Sequence, residues 1–146
     1  MLMNIVAPYN TGRRFAGLLP EGEDLIASVI RMCIQHSVRM GVFSIIGAVR
    51  SATFGIFDQR QKVYVTRTVE GSFDILTCTG NVSPKDGKPF VHAKIILGDE
   101  KGNLTGGHLF SETLVFYAEF DLLEMIMEPY ERTYDERTGL FLWPYA

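Results

Sequence analysis

Phe90-Val91-His92-Ala93-Lys94-Ile95-Ile96-Leu97-Gly98-Asp99-Glu100-Lys101-Gly102-Asn103-Leu104-Thr105-Gly106-Gly107-His108-Leu109 reads as a strand, a tight turn and a returning strand. Residues 90–97 are largely apolar. Residues 98–103 concentrate two glycines with Asp99 and Asn103, and the apolar pattern resumes at Leu104. Strands joined by so short a connection run antiparallel, because a parallel crossover takes a dozen or more residues.

The same pattern extends upstream and downstream. Val42–Val49 has a buried-strand pattern with Gly47 as a bulge or close-approach point, and Ala52–Phe57 continues it. Asp58–Gln61 reads as a hairpin loop, Lys62–Val69 as an alternating strand, Glu70-Gly71 as a turn and Phe73–Thr79 as a further strand. Asn81–Pro89, with Pro84, Asp86-Gly87 and Pro89, reads as a turn-rich loop, and Leu114–Leu123 as the last core strand. At the other end, residues 1–11 are a lead-in with a turn at Pro8–Gly12, and Arg13–Leu18 is a short strand.

One segment breaks the period-two pattern. Leu25, Val29, Met32 and His36 lie on one helical stripe with Ile26, Ile30 and Cys33 beside it, which predicts a helix running to a stop at Gly41. Glu21, Glu23 and Asp24 precede it, at the positive end of its dipole. A long helix, with room for smaller ones, packed against a mainly antiparallel sheet is the α+β class. No repeat or low-complexity linker interrupts the chain, so residues 1–146 read as one domain with its core at about 13–123. The tail, residues 129–146, holds Tyr130, Tyr134, Phe141, Trp143 and Tyr145. So aromatic a segment is expected to pack back on its own domain or on a neighbouring subunit.

Composition narrows the classes of function. The 146 residues are 47% hydrophobic and 21% charged, which excludes a disordered chain, and no apolar run reaches the roughly 20 residues of a membrane helix. Met1–Asn10 lacks a basic segment followed by an apolar one, and with no such signal the expected location is cytoplasmic. Cys33 and Cys78 sit in apolar patterns and are expected to be buried free thiols of a reducing compartment. The net charge is −3 and the closest approach to a basic run is Arg13-Arg14, so nothing marks a phosphate-binding surface. There is no Gly-rich phosphate loop, no Gly-x-Ser-x-Gly elbow and no His-Glu-x-x-His helix.

Several blocks, in order and at matching spacing, resemble the plants-and-prokaryotes-conserved (PPC) family. They are Leu19-Pro20-Glu21-Gly22-Glu23-Asp24-Leu25, Gly41–Val49, Gly80-Asn81-Val82 through Asp86-Gly87-Lys88-Pro89 to His92, Gly106-Gly107-His108-Leu109, and Tyr117-Ala118-Glu119-Phe120. The resemblance implies a compact antiparallel sheet, a fold similar to acetolactate decarboxylase and a homotrimer. Plant members carry an Arg-Gly-Arg-Pro AT-hook ahead of the domain. This chain contains no such hook, so DNA is not an expected partner, and a protein or small molecule is.

Many members carry His-x-His on one strand and the histidine of Gly-Gly-His-Leu on the next. Positions i and i+2 share a strand face, and a neighbouring strand can add a third donor. The resemblance therefore implies a zinc or similar divalent metal at His92 and His108. Here the middle position is Lys94, a poor ligand when protonated, so a third donor is sought in His36, Glu119, water or another subunit. Lys94 is also a candidate proton-transfer group, and Glu119 is either a buried, partnered carboxylate or a group hydrogen-bonded to a metal ligand from behind. Gly106 and Gly107 are candidates for either an anion nest or tight strand packing. A binding and assembly module leads these readings. A metal-dependent lyase or hydrolase acting on a small carbonyl or acid substrate is the alternative, and direct DNA binding the third.

Overall fold

The computed structural model describes residues 5–144. Its elements are β1 (Asn10–Leu19), α1 (Leu25–Gln35), β2 (Gly41–Asp58), β3 (Val63–Lys85), β4 (Lys88–Gly98), β5 (Leu104–Leu109), β6 (Leu114–Ile126), β7 (Thr133–Asp135) and β8 (Leu140–Leu142). The first six strands form one antiparallel sheet in the order β1-β6-β2-β3-β4-β5, and β7 and β8 form a separate hairpin.

Length and bending of β2 and β3 organise the sheet. β2 changes register between Ile45 and Gly47 and again between Val49 and Ser51, and the facing strand carries Gly71 at φ +124°. At Gly47, φ is +150° and an added Cβ would stand 2.1 Å from the Tyr117 carbonyl oxygen, so only glycine fits this close approach. Beyond the bend, β2 leaves β6 and pairs with β5 through Phe54 with Leu109 and Gly55 with His108. The circuit β2-β3-β4-β5-β2 is thereby closed. The core lies on the face covered by α1, where Leu25, Val29 and Cys33 meet Val82, Val91, Ile95 and Leu122. Cys33 and Cys78 are both buried free thiols, and burial pushes each up to about 12. Among the described residues no helix is long and apolar enough to cross a membrane.

Several sequence expectations require correction. The helix is short: 11 residues, not a long one running to Gly41. It stops because Ser37 takes φ +55°, letting Val38 N–H reach the Cys33 carbonyl at 2.9 Å and Ser37 N–H reach that of Ile34. That closure, with buried Val38 as its apolar clasp, is a helix stop built on serine instead of glycine. His36 is the C-cap and is exposed, off the buried stripe. At the other end the acidic residues do precede the helix, and Asp24 stands at its positive pole. Asp24 is the N-cap and accepts from Ala27 N–H at 2.9 Å, while Glu21 and Glu23 pair with Arg50 and Arg31.

The expected turn at Glu70-Gly71 is a bend inside β3, which continues to Lys85. The supposed loop at Asn81–Pro89 is likewise mostly strand. Pro84 faces Pro89 across a two-residue turn in which Asp86 and Gly87 have φ +52° and +75°, the positive pair that a tight hairpin turn demands. Pro8–Gly12 is not a chain reversal, since β1 already begins at Asn10 and bulges between Thr11 and Arg14. The lead-in at residues 1–4 and the tail aromatic Tyr145 lie outside the described residues.

Candidate ligand-binding site

Along β4 the core face carries Val91, Ala93, Ile95 and Leu97, so His92, Lys94 and Ile96 point the other way. His108 on β5 pairs in register with Lys94, and Asn81 on β3 pairs with His92. The two histidines thus meet on the outer face of the sheet, away from α1. Their ring centroids are 5.2 Å apart. Tight strand approach sets this geometry. A Cβ on Gly106 would come within 2.0 Å of the Ile95 carbonyl oxygen, one on Gly107 within 2.5 Å of that of Gly55, and one on Gly80 within 2.5 Å of that of His92. Of the two roles considered for Gly106-Gly107, close packing is the one this geometry supports.

The tail supplies a roof. Arg132 N–H donates to the Pro84 carbonyl at 2.8 Å, and the β7–β8 hairpin then lies over the histidines. The Arg132 guanidinium donates from Nε to Ser83 Oγ at 2.8 Å, from Nη2 to Asn81 Oδ1 at 2.8 Å and from Nη1 to the Phe141 carbonyl at 3.1 Å. Trp143 Nε1 donates to the same Ser83 Oγ at 2.9 Å. The rings of Phe90 and Trp143 flank the guanidinium at 5.4 and 5.3 Å. Beneath lies a cavity of about 290 Å³ lined by Tyr64, Phe90, His92, His108, Phe110, Arg132 and the strand Leu140–Leu142. The Tyr64 ring packs against His108, tilted by 40° with centroids 4.6 Å apart, and its hydroxyl lies 3.4 Å from Nδ1.

The electrostatics are one-sided. Burial, then the Arg132 and Lys94 charges, lowers His92 below the usual histidine range. Burial first, then His92, Lys94 and Arg132, pushes His108 down to about 4. Both imidazoles are therefore neutral near pH 7. Arg132 is 7% exposed, and among the described residues its hydrogen-bond acceptors are all neutral and no carboxylate pairs with it.

His36 is remote in the sheet order, stacked on Phe15 of β1 at 4.8 Å. Glu119 is exposed on β6, in register with Leu18 and Ile46, where it lines an open cleft with Ala16 and Ser44. Neither joins His92 and His108. Lys94 is exposed, and its charge reaches both imidazoles. This donor set does not fit a resident divalent metal. Two neutral imidazoles lack a third protein ligand, no group of three His, Cys, Asp or Glu occurs among the described residues, and two cations face the position. Arg132, Tyr64, Asn81 and Ser83 escaped the sequence reading. Nothing in Glu131-Arg132-Thr133-Tyr134-Asp135-Glu136-Arg137 separates Arg132 from Arg137, which pairs with Asp135. The aromatic tail was the available signal, and it does pack on its own domain.

Residues 6–126 match the family model of the Plants and Prokaryotes Conserved (PCC) domain, so Arg132 and the hairpin lie beyond the matched span. Among solved structures, a metal-containing protein from Archaeoglobus fulgidus is 41% identical, with 96% of this chain and 99% of that one covered and a TM-score of 0.92. A PPC protein from Pyrococcus horikoshii is 35% identical, with 96% of each covered and a TM-score of 0.92. A candidate DNA-binding protein from Bacteroides thetaiotaomicron is 22% identical, with 93% and 96% covered and a TM-score of 0.83, a likeness of fold alone. No curated protein matches the chain.

Proposed function

This chain belongs to the Plants and Prokaryotes Conserved (PCC) domain family, and from that premise we propose that it is a non-catalytic binding module, assembled as a homotrimer, whose ligand site is the cavity roofed by its C-terminal hairpin. The observation that carries the reading is that cavity: about 290 Å³, walled by aromatic rings and holding a few convergent polar groups, the usual composition of a small-molecule site. Assembly is supported by outward-facing apolar pairs such as Ile56 and Val65, cross-strand neighbours that are 65% and 66% exposed. The metal of the A. fulgidus relative is not carried to this chain, because among the described residues the donor set has no third ligand and it faces two cations. DNA binding is not carried over either, because Arg13, Arg14, Arg31 and Arg50 are each paired with a carboxylate.

Native mass spectrometry of untagged protein tests both parts at once. The expected result is a complex of three 16.4 kDa chains that releases a small organic molecule on denaturation. A bare monomer overturns the reading, as does turnover of a substrate abolished by His108→Ala.

A further inference from the structure

We infer that the ligand of this cavity is a small organic carboxylate, received by Arg132 between aromatic walls. The inference rests on the proposed ligand-site reading and names the chemistry that the site selects.

A charge this deeply buried is costly unless it is paired. Arg132 is 7% exposed, yet among the described residues its acceptors are a hydroxyl, an amide oxygen and a backbone carbonyl. These fix the guanidinium without neutralising it. A guanidinium has five N–H donors. Three are used, one each on Nε, Nη1 and Nη2, which leaves one on each terminal nitrogen. Two parallel N–H groups are what a carboxylate takes in its bidentate pairing with arginine. The other ionisable groups at the cavity among the described residues are neutral or cationic: His92, His108 and Tyr64 line it, and Lys94, in register with His108, adds its charge. Among the described residues no acidic side chain lines it.

The rest of the lining specifies the body of the ligand. Phe90, Phe110 and Tyr64 offer ring faces and edges, and Leu140 and Leu142 close the roof. A compact aryl or alkyl group is suited to these walls, with its carboxylate directed at Arg132. Each neutral imidazole has one N–H donor and one acceptor nitrogen, which suits a polar substituent beside the carboxylate.

The probe is sodium benzoate, with uncharged benzamide as its isostere and inorganic phosphate as a second anion. Trp143 is the only tryptophan and sits 5.3 Å from the Arg132 guanidinium, so its fluorescence reports occupancy. Benzoate is expected to bind saturably and about tenfold or more tightly than benzamide, the preference a charged hydrogen-bonded pair confers. Because Arg132 also anchors the hairpin, the benzoate–benzamide comparison is made first on the unaltered protein. Arg132→Lys, checked for folding by circular dichroism, is then expected to lose that preference while keeping its affinity for benzamide. Equal binding of benzoate and benzamide overturns the carboxylate inference and leaves the ligand-site reading standing. Phosphate binding more tightly than benzoate overturns the carboxylate class in favour of a phosphorylated ligand. No saturable binding by any of the three overturns both readings.

Discussion

The Nε of Arg132 donates to the Oγ of Ser83 at 2.8 Å across 49 positions of sequence, and both residues are buried. With the bonds of Arg132 to Asn81 and Pro84 and of Trp143 to the same Ser83 Oγ, it couples the C-terminal roof to β3.

Ser83→Ala tests that coupling. The hydroxyl accepts from both Arg132 and Trp143, so its loss leaves two donors without that acceptor. An orphaned buried donor costs about 1–3 kcal/mol. The variant is expected to lose about 2 kcal/mol in urea denaturation, and limited proteolysis should cut within the hairpin before the core. Unchanged stability and protection would show that the bonds of Arg132 to Asn81 and Pro84, with the ring contacts, hold the roof without Ser83.

Gly106→Ala probes the β4–β5 contact. Its Cβ would lie 2.0 Å from the backbone oxygen of Ile95, and backbone cannot swing aside as a side-chain tip can. The strands must separate, which is expected to cost on the order of 3 kcal/mol and to shift the His108 ring resonances. Wild-type stability in this variant would mean that the strand pair is looser than described.

How much of this was legible in the chain varies with the range of the interaction. The hairpin at residues 98–103 and the antiparallel pairing followed from local spacing. The histidine pair came from the family resemblance, since alternation within one strand does not say which residue of the next strand it faces. Gly47, Gly80 and Gly106 could be seen as special, but only the fold shows that each admits the backbone of a neighbouring strand. Pro84 and Pro89 misled because proline usually interrupts strands, whereas here they frame a two-residue turn. Ser37 misled because the helix stop uses a left-handed serine. Arg132 was invisible because its role depends on acceptors about 50 residues away.

Acid should weaken the fold before its carboxylates titrate. An unfolded histidine takes up a proton near pH 6.5, whereas folded His108 resists until about 4. Between those values the unfolded chain binds more protons, so this contribution is fully present above about pH 6.5 and falls away toward pH 4. His92, also lowered, adds to the same slope. The loss from His108 is no more than about 3 kcal/mol, to be followed by urea denaturation between pH 7.5 and 5. His108→Gln should flatten most of the slope, and a wild-type profile already flat in this range would place His108 in a more hydrated setting.

Duplex DNA should bind no better than to a neutral control protein. Arg13 is held by Glu124 at 2.8 Å and Arg14 by Asp121 at 2.9 Å, which leaves the one adjacent arginine pair neutralised on the surface. Phosphate contacts made by lysine and arginine give a steep salt dependence. Fluorescence anisotropy at low salt, repeated at about 0.15 M, should show neither tight binding nor that slope.

Lys94 decides the metal question, and replacing it provides a gain-of-function test. Positions 92 and 94 lie on one face of β4, and the Cα of Lys94 is in register with His108. An imidazole at 94 would therefore join His92 and His108, whose ring centroids are already 5.2 Å apart, and would complete three nitrogen donors with room for water as a fourth ligand. The same substitution removes one of the two cations that oppose a metal there. Untagged wild-type protein, prepared without chelator, is expected to contain far less than one zinc per subunit by elemental analysis, and Lys94→His about one. Adding His92→Ala to Lys94→His should abolish the gain. Stoichiometric zinc in the wild type, lost in His92→Ala and in His108→Ala, would mean that a water or a neighbouring subunit supplies the missing donor, and that the carboxylate assignment must give way to a metal centre.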